Sequence, residues 1–227
     1  VKAFIIVRDR VTYAHLCVTA MTEAGLEPVI VDQGSTWPLA KDYLTAMETA
    51  GVQVLYRGGG HPRLMWDWEP FRQACSDDLY VVTDCDVVPS DDCPLDWPKR
   101  LYGLLDAYPE FPKAGLGLRL DRIPDTYQRK DHVLKWEQKF WDEPLDDGVY
   151  KAPIDTTLAM YRPLQEQPGQ TFDITLSAVR TGHPYVADHL AWYEDYTELD
   201  EELRWYHEHA EPGISYWTVA GRSAWGV

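Results

Sequence analysis

Leu79-Tyr80-Val81-Val82-Thr83-Asp84-Cys85-Asp86 is an apolar, β-branched run that ends abruptly in two carboxylates. Successive side chains of an extended segment point to opposite faces, so Asp84 and Asp86 project together and Cys85 points away. A buried strand closing on two acids, one residue apart, offers oxygen ligands to a hard divalent cation that also grips a diphosphate. The tripeptide alone describes an ordinary solvated turn equally well. Its meaning comes from what precedes it.

Three further apolar runs lie upstream, at Ala3–Val7, Pro28–Val31 and Val52–Tyr56, each the length of a buried strand. Leu16, Cys17, Ala20, Met21 and Ala24 carry helical spacing between the first two, and Gly25 stops that helix. Thr36 and Pro38 read as the cap and first turn of a second helix that ends at Gly51. Gly58-Gly59-Gly60 and a short helix over 65–74 fill the third connection. Strands alternating with helices predict βαβ units and an α/β fold built on a mainly parallel sheet flanked by helices. The chain of 227 residues suits a single domain, 1–227. Residues 1–90 form its regular half. Residues 91–227 are expected to extend the same sheet, with a helix near 101–108, strands near 114–120, 158–161 and 172–179, a helix through Val133, Trp136 and Phe140, and a last helix over 198–209.

A formal charge of −16 argues against a general nucleic-acid binder, whose surface must be basic. A nucleotide remains open, because a cation and a few arginines supply positive charge locally. No apolar stretch reaches the roughly 18 residues of a membrane span, so no integral membrane segment is expected. The four cysteines, Cys17, Cys75, Cys85 and Cys93, form no CxxC pair and suit a reducing, cytoplasmic setting. Ten Trp and fourteen Tyr serve mainly as core, with some rings available as platforms for sugars.

In a parallel sheet, ligands gather at the carboxyl ends of the strands. That rule brings together Arg8-Asp9-Arg10, Asp32-Gln33-Gly34-Ser35-Thr36, the 58–63 loop and Asp84-Cys85-Asp86. Each has a plainer reading: Asp32 as a turn former, Arg63 as the partner of an acid such as Asp67, the glycines as a flexible turn.

Val31-Asp32-Gln33-Gly34-Ser35-Thr36 resembles the Val-Asp-Asp-Gly-Ser stretch of nucleotide-sugar-dependent glycosyltransferases of the GT-A fold, and Asp84-Cys85-Asp86 resembles their DxD. The resemblance covers roughly the first 90 residues. Gln33 departs from it, standing where the second Asp is usual, and Arg8-Asp9-Arg10 replaces the usual turn after the first strand. Ile154–Tyr161 and His189-Leu190-Ala191-Trp192-Tyr193 look like acceptor-side and metal-side segments.

The resemblance implies a metal-dependent glycosyltransferase. It would use Mn²⁺ or Mg²⁺, take a nucleoside-diphosphate sugar as donor and a glycan or protein hydroxyl as acceptor. Arg8 and Asp32 would contact the base or ribose, and Arg63 the diphosphate, which a guanidinium binds bidentately. Asp86 would hold the metal, Asp84 the ribose or a metal-bound water, and His189 would complete the shell, with Arg180 a lesser candidate for phosphate. An inverting reaction needs a base for the acceptor hydroxyl. Asp155 is the first choice and Asp195, in Glu194-Asp195, the second. The segment 122–148 is a candidate flap over the acceptor. The rivals are a nucleotidyltransferase that makes the sugar nucleotide and a non-catalytic glycan-binding module of the same fold.

Overall fold

A computed structural model describes residues 1–166 and 177–209. Its strands are β1 (Lys2–Val7), β2 (Glu27–Asp32), β3 (Gln53–Tyr56), β4 (Tyr80–Asp84), β5 (Val87–Pro89), β6 (Lys113–Leu118), β7 (Pro144–Asp146), β8 (Val149–Pro153), β9 (Ala159–Tyr161) and β10 (Ser177–His189). The helices are α1 (Val11–Glu23), α2 (Pro38–Thr49), α3 (Glu69–Ala74), α4 (Trp97–Ala107), α5 (Lys130–Glu137) and α6 (Glu201–His209). All described strands join one sheet in the order β3-β2-β1-β4-β9-β6-β10-β8-β7, with β5 paired to β10.

The first four strands are parallel neighbours, as their helical crossovers require. The runs of β1, β2 and β4 are mostly apolar because both faces are covered, whereas β3, at the sheet edge, is only partly buried. Ala3, Ile5, Val7, Ile30 and Val81 pack on one face with Cys17 and Met21 of α1, whereas Phe4, Ile6, Val29, Val31 and Val82 pack on the other with Trp66 and Phe71. On that second face Tyr80 and Tyr161 stack at 5.2 Å and Phe71 meets Phe4 edge-on at 4.9 Å.

The second half departs from simple alternation. Strand β9 runs antiparallel between β4 and β6, which leaves β6 running with β4. Strand β10 pairs parallel with β6 and antiparallel with β8 and β5. The β7–β8 hairpin, β5 and most of β10 had no counterpart among the expected strands; of the run expected at 172–179, residues 172–176 lie outside the described residues. Strand β6 carries two glycines for a steric reason. A Cβ on Gly115 would stand 2.6 Å from the Leu158 carbonyl oxygen, and one on Gly117 would stand 2.4 Å from that of Thr181 and 2.8 Å from the Trp141 indole.

Helix α2 starts differently from the expectation. Trp37, not Thr36, is its N-cap and offers no side-chain cap. Asp9, held at φ 52°, supplies the cap from the end of β1: its Oδ1 accepts the N–H groups of Thr36 (2.6 Å) and Trp37 (2.7 Å). The expected helix at 65–74 is split into a 3-10 turn over Pro62–Asp67 and α3. The four cysteines are buried and free, and among the described residues no helix is long and apolar enough to cross a membrane.

Candidate functional site

The carboxyl ends of β1 to β4 carry Arg8, Asp32, the glycine loop and the acid motif along one edge of the sheet. The motif is fixed by backbone on three sides. The Cys85 N–H donates to the Ile6 carbonyl at 3.1 Å, the Asp84 N–H to that of Thr156 at 3.0 Å, and the Leu190 N–H to that of Asp86 at 2.7 Å. The turn between β8 and β9 thereby delivers Asp155 and Thr156 to the acids.

Thr156 donates its hydroxyl to Asp84 Oδ2 at 2.6 Å. Burial, then Asp86, then Asp155, push the Asp84 carboxyl well above the usual carboxylate range against that hydrogen bond. Asp155 is itself exposed, with Oδ1 accepting the Thr157 N–H at 3.1 Å and its carbonyl accepting the Tyr161 hydroxyl at 3.1 Å. Three acids drawn from two chain segments converge on one place.

His189 reaches the same edge from β10, where it pairs with Val87, the residue after Asp86. Its ring stacks on Trp192 at 4.6 Å and 5°, and its buried Nδ1 has no hydrogen-bond partner among the described residues. No group of three metal-ligating side chains stands ready-made among the described residues. An ion such as Mg²⁺ is usually held by one or two carboxylates plus substrate phosphates. Mutually repelling carboxylates, with a histidine on the neighbouring strand whose buried Nδ1 lacks a partner among the described residues, supply oxygen and nitrogen donors that fit such a cation.

The other candidates divide. Arg8 is half-buried directly after β1. Asp32 turns its carboxylate into its own loop, accepting the N–H groups of Gly34 (3.2 Å) and Ser35 (3.0 Å). Arg63 lies in the 3-10 turn, and its side chain is outside the described part of the structure. Asp195 is exposed and its Oδ1 is engaged by the Thr197 N–H (2.8 Å) and hydroxyl (2.6 Å), bonds that hold its carboxyl below the ordinary range. Arg180 is buried against Glu137 at 3.2 Å, with its guanidinium 4.7 Å from the centre of the Phe140 ring. This pair, the buried Val133 and the seat of Trp141 over Gly117 tie segment 130–141 down onto the sheet.

Sequence reasoning missed a second layer behind the edge. Arg10 is buried, ion-paired with Glu194 and sandwiched between the rings of Tyr13 (4.4 Å) and Tyr206 (4.6 Å). Burial works against its charge, but Glu194 and then Asp86 hold the guanidinium above its usual value. Tyr13 donates to Glu194 at 3.1 Å, and His207 Nε2 lies 3.8 Å from the same carboxylate. The available signal was weak: an arginine in a strand-end turn and a glutamate followed by an acidic helix.

No family model matches the sequence, and no curated protein matches it. The structure has clear counterparts. GalNAc-T7, solved with UDP, GalNAc and Mn²⁺, superposes with a TM-score of 0.54 over 83% of this chain and 43% of its own. Residues 1–349 of S. aureus TarS superpose with a TM-score of 0.50 over 95% of this chain and 67% of theirs, and the longer TarS chain with 0.51 over 95% and 41%. The fold is GT-A. Identity is 10% in each case, so the likeness is one of architecture. This chain spans well under half of GalNAc-T7 and of the longer TarS chain. Within the GT-A frame the acid motif falls at the carboxyl end of β4, the central edge of the parallel half, with Asp155 arriving from the antiparallel half.

Proposed function

We propose that the chain is a metal-dependent glycosyltransferase that moves a hexose from a UDP- or GDP-sugar to a hydroxyl on a glycan or protein. The observation that carries this reading is the convergence of Asp84, Asp86 and Asp155 at the carboxyl end of β4 in a GT-A fold. The chain acts as one domain, with residues 1–90 serving the nucleotide and 91–227 the acceptor.

Asp86 and Asp84, with His189, would hold Mn²⁺ or Mg²⁺. When bound, such an ion neutralises the charge that develops on a departing nucleoside diphosphate. Thr156 donates its hydroxyl to the Asp84 carboxyl and so orients the acid toward the edge of the sheet. Arg63 would engage the phosphates, and Arg8 and Asp32, with its loop, the base or ribose. Asp155 is exposed on the acceptor side and can take the proton of an attacking hydroxyl if the anomeric centre inverts. Asp195 is the alternative base. GalNAc-T7 was solved with UDP and Mn²⁺, and TarS with UDP-GlcNAc, which supports a uridine donor and a divalent cation here.

A nucleotidyltransferase is disfavoured by the first-strand loop. Arg8-Asp9-Arg10-Val11-Thr12 contains no glycine or lysine, and Asp9, Arg10 and Thr12 are occupied by helix capping and the Glu194 pair. A glycan-binding module is separated by experiment. Thermal unfolding is followed with UDP or GDP, with and without Mn²⁺, and with free sugars. A native-state ligand at a hundred times its Kd adds about 2.7 kcal/mol of stability. Stabilisation by nucleotide that requires Mn²⁺ supports the transferase; response to sugars alone replaces it with the binding module.

A further inference from the structure

We propose that Gln33 reads the nucleobase of the donor and selects bases with a carbonyl at pyrimidine C4 or purine C6, uracil or guanine, over those with an amino group there, cytosine and adenine. The inference rests on the donor-site reading above and adds a basis for discriminating among nucleotides.

Gln33 sits at the end of β2, where its N–H donates to the Val7 carbonyl at 2.8 Å and ties it to the end of β1. Its residue is only 2% exposed. The carboxamide Oε1 accepts a hydrogen bond from Arg57 Nη1, which also donates to the His61 carbonyl at 3.1 Å. A guanidinium has donors only, so the amide cannot turn its nitrogen toward Arg57. The orientation of Gln33 is therefore set by chemistry: oxygen toward Arg57, nitrogen away from it.

That nitrogen, Nε2, is buried and has no hydrogen-bond partner among the described residues. A buried N–H group without an acceptor carries a free-energy penalty that a ligand oxygen would remove. Gly34 packs so closely on the glycine loop that a Cβ on it would stand 3.0 Å from the Gly59 nitrogen, and Gly58, Gly59 and Gly60 all hold positive φ. No other side-chain acceptor is supplied to Nε2 by these two loops. Asp32, one residue earlier, gives its carboxylate to Gly34 and Ser35.

A donor locked in place distinguishes a carbonyl from an amino group at the same ring position. Guanine offers O6 where adenine has an amino group, and uracil, like thymine, offers O4 where cytosine has one. An amino base would set N–H against N–H and leave both unsatisfied, the kind of mismatch by which a polar site rejects the wrong substrate most strongly.

The test is calorimetric binding of UDP, CDP, GDP and ADP in the presence of Mn²⁺, with folding of each variant checked by circular dichroism. The expected result is that the better keto nucleotide binds at least about tenfold more tightly than the amino nucleotide of the same ring size. Gln33→Glu, which replaces the donor by a second acceptor, should shift preference toward CDP or ADP. Arg57→Met frees the amide to turn and should shrink the preference to within about threefold, while Arg57→Lys, which keeps a donor facing Oε1, should retain it. Equal binding of keto and amino nucleotides by the unaltered chain overturns the inference and leaves the transferase reading standing. So does an unchanged preference in Arg57→Met. Failure of every nucleotide to bind overturns both.

Discussion

The carboxylate of Glu202 on α6 accepts hydrogen bonds from the backbone N–H (3.1 Å) and hydroxyl (3.0 Å) of Thr12, 190 positions earlier in the chain. It caps α1 from the far end of the protein, and Arg10, the N-cap residue, has no side-chain cap of its own to offer. Glu202→Ala should therefore lower unfolding free energy by about 0.5–2 kcal/mol, the usual worth of a helix cap. Urea denaturation measures it, and a change below a few tenths would show that the contact does not cap the helix.

Arg10 and Glu194 form a pair whose side chains are 5% and 2% exposed. Removing one member strands the other charge in the interior, so Arg10→Met or Glu194→Gln should destabilise by about 3–5 kcal/mol. The double replacement by apolar residues should recover part of that loss. A double-mutant cycle on unfolding free energies gives the coupling, and strict additivity would contradict the pairing.

Asp84 makes the apo protein sensitive to pH in a defined direction. Burial and the charges of Asp86 and Asp155 raise its folded pKa, so the folded chain holds this proton more tightly than the unfolded one. The contribution to stability is greatest below the unfolded value of about 3.9 and declines as pH rises from there through the raised folded value. Asp84→Asn should remove that decline and make the metal-free protein more stable at neutral pH, with nucleotide binding weakened. Thermal unfolding across a pH series checks both halves of the statement.

Asp155 and Asp195 are separated by kinetics. If Asp155 takes the acceptor proton, Asp155→Asn lowers kcat by about 10²–10⁴ with little change in donor KM. Asp195→Ala should leave kcat nearly unchanged, since that carboxylate serves Thr197. The opposite pattern would transfer the role to Asp195.

Gly117 leaves no room for a methyl group beneath Trp141. Gly117→Ala should cost about 1–3 kcal/mol through overpacking and backbone shift. Trp141→Ala in the same background should relieve only the part due to the indole, because the Thr181 carbonyl oxygen at 2.4 Å remains. Unfolding free energies of the two variants and their combination decide it.

The parallel half of this fold was legible because β1, β2 and β4 are largely buried and read as apolar runs, while β3, partly exposed at the sheet edge, still keeps a short one, each within a residue or so of its observed bounds. The acid motif was legible for the same reason, as a charged end to such a run. Strand β8, Val-Tyr-Lys-Ala-Pro, has partly exposed positions, and β10 is broken by a register shift between Thr181 and Val186, so neither gives a clean period. Capping failed at Thr36 because the acceptor came from Asp9, across 27 positions. Gln33 with Arg57, and Arg10 with Glu194, are pairs across 24 and 184 positions. Local pattern does not encode which distant side chain a buried group will meet.

The reversed strand β9 has a consequence for how such a chain can change. It threads between β4 and β6 and sends Thr156 back onto Asp84 by both backbone and hydroxyl. The stretches before and after position 90 are therefore not interchangeable cassettes: a chimera joined there would import a foreign residue into the very contact that orients its own acid. Among the described residues the outer hairpin makes no such contact with the acid motif, but the seam at Asp84 has to be inherited whole.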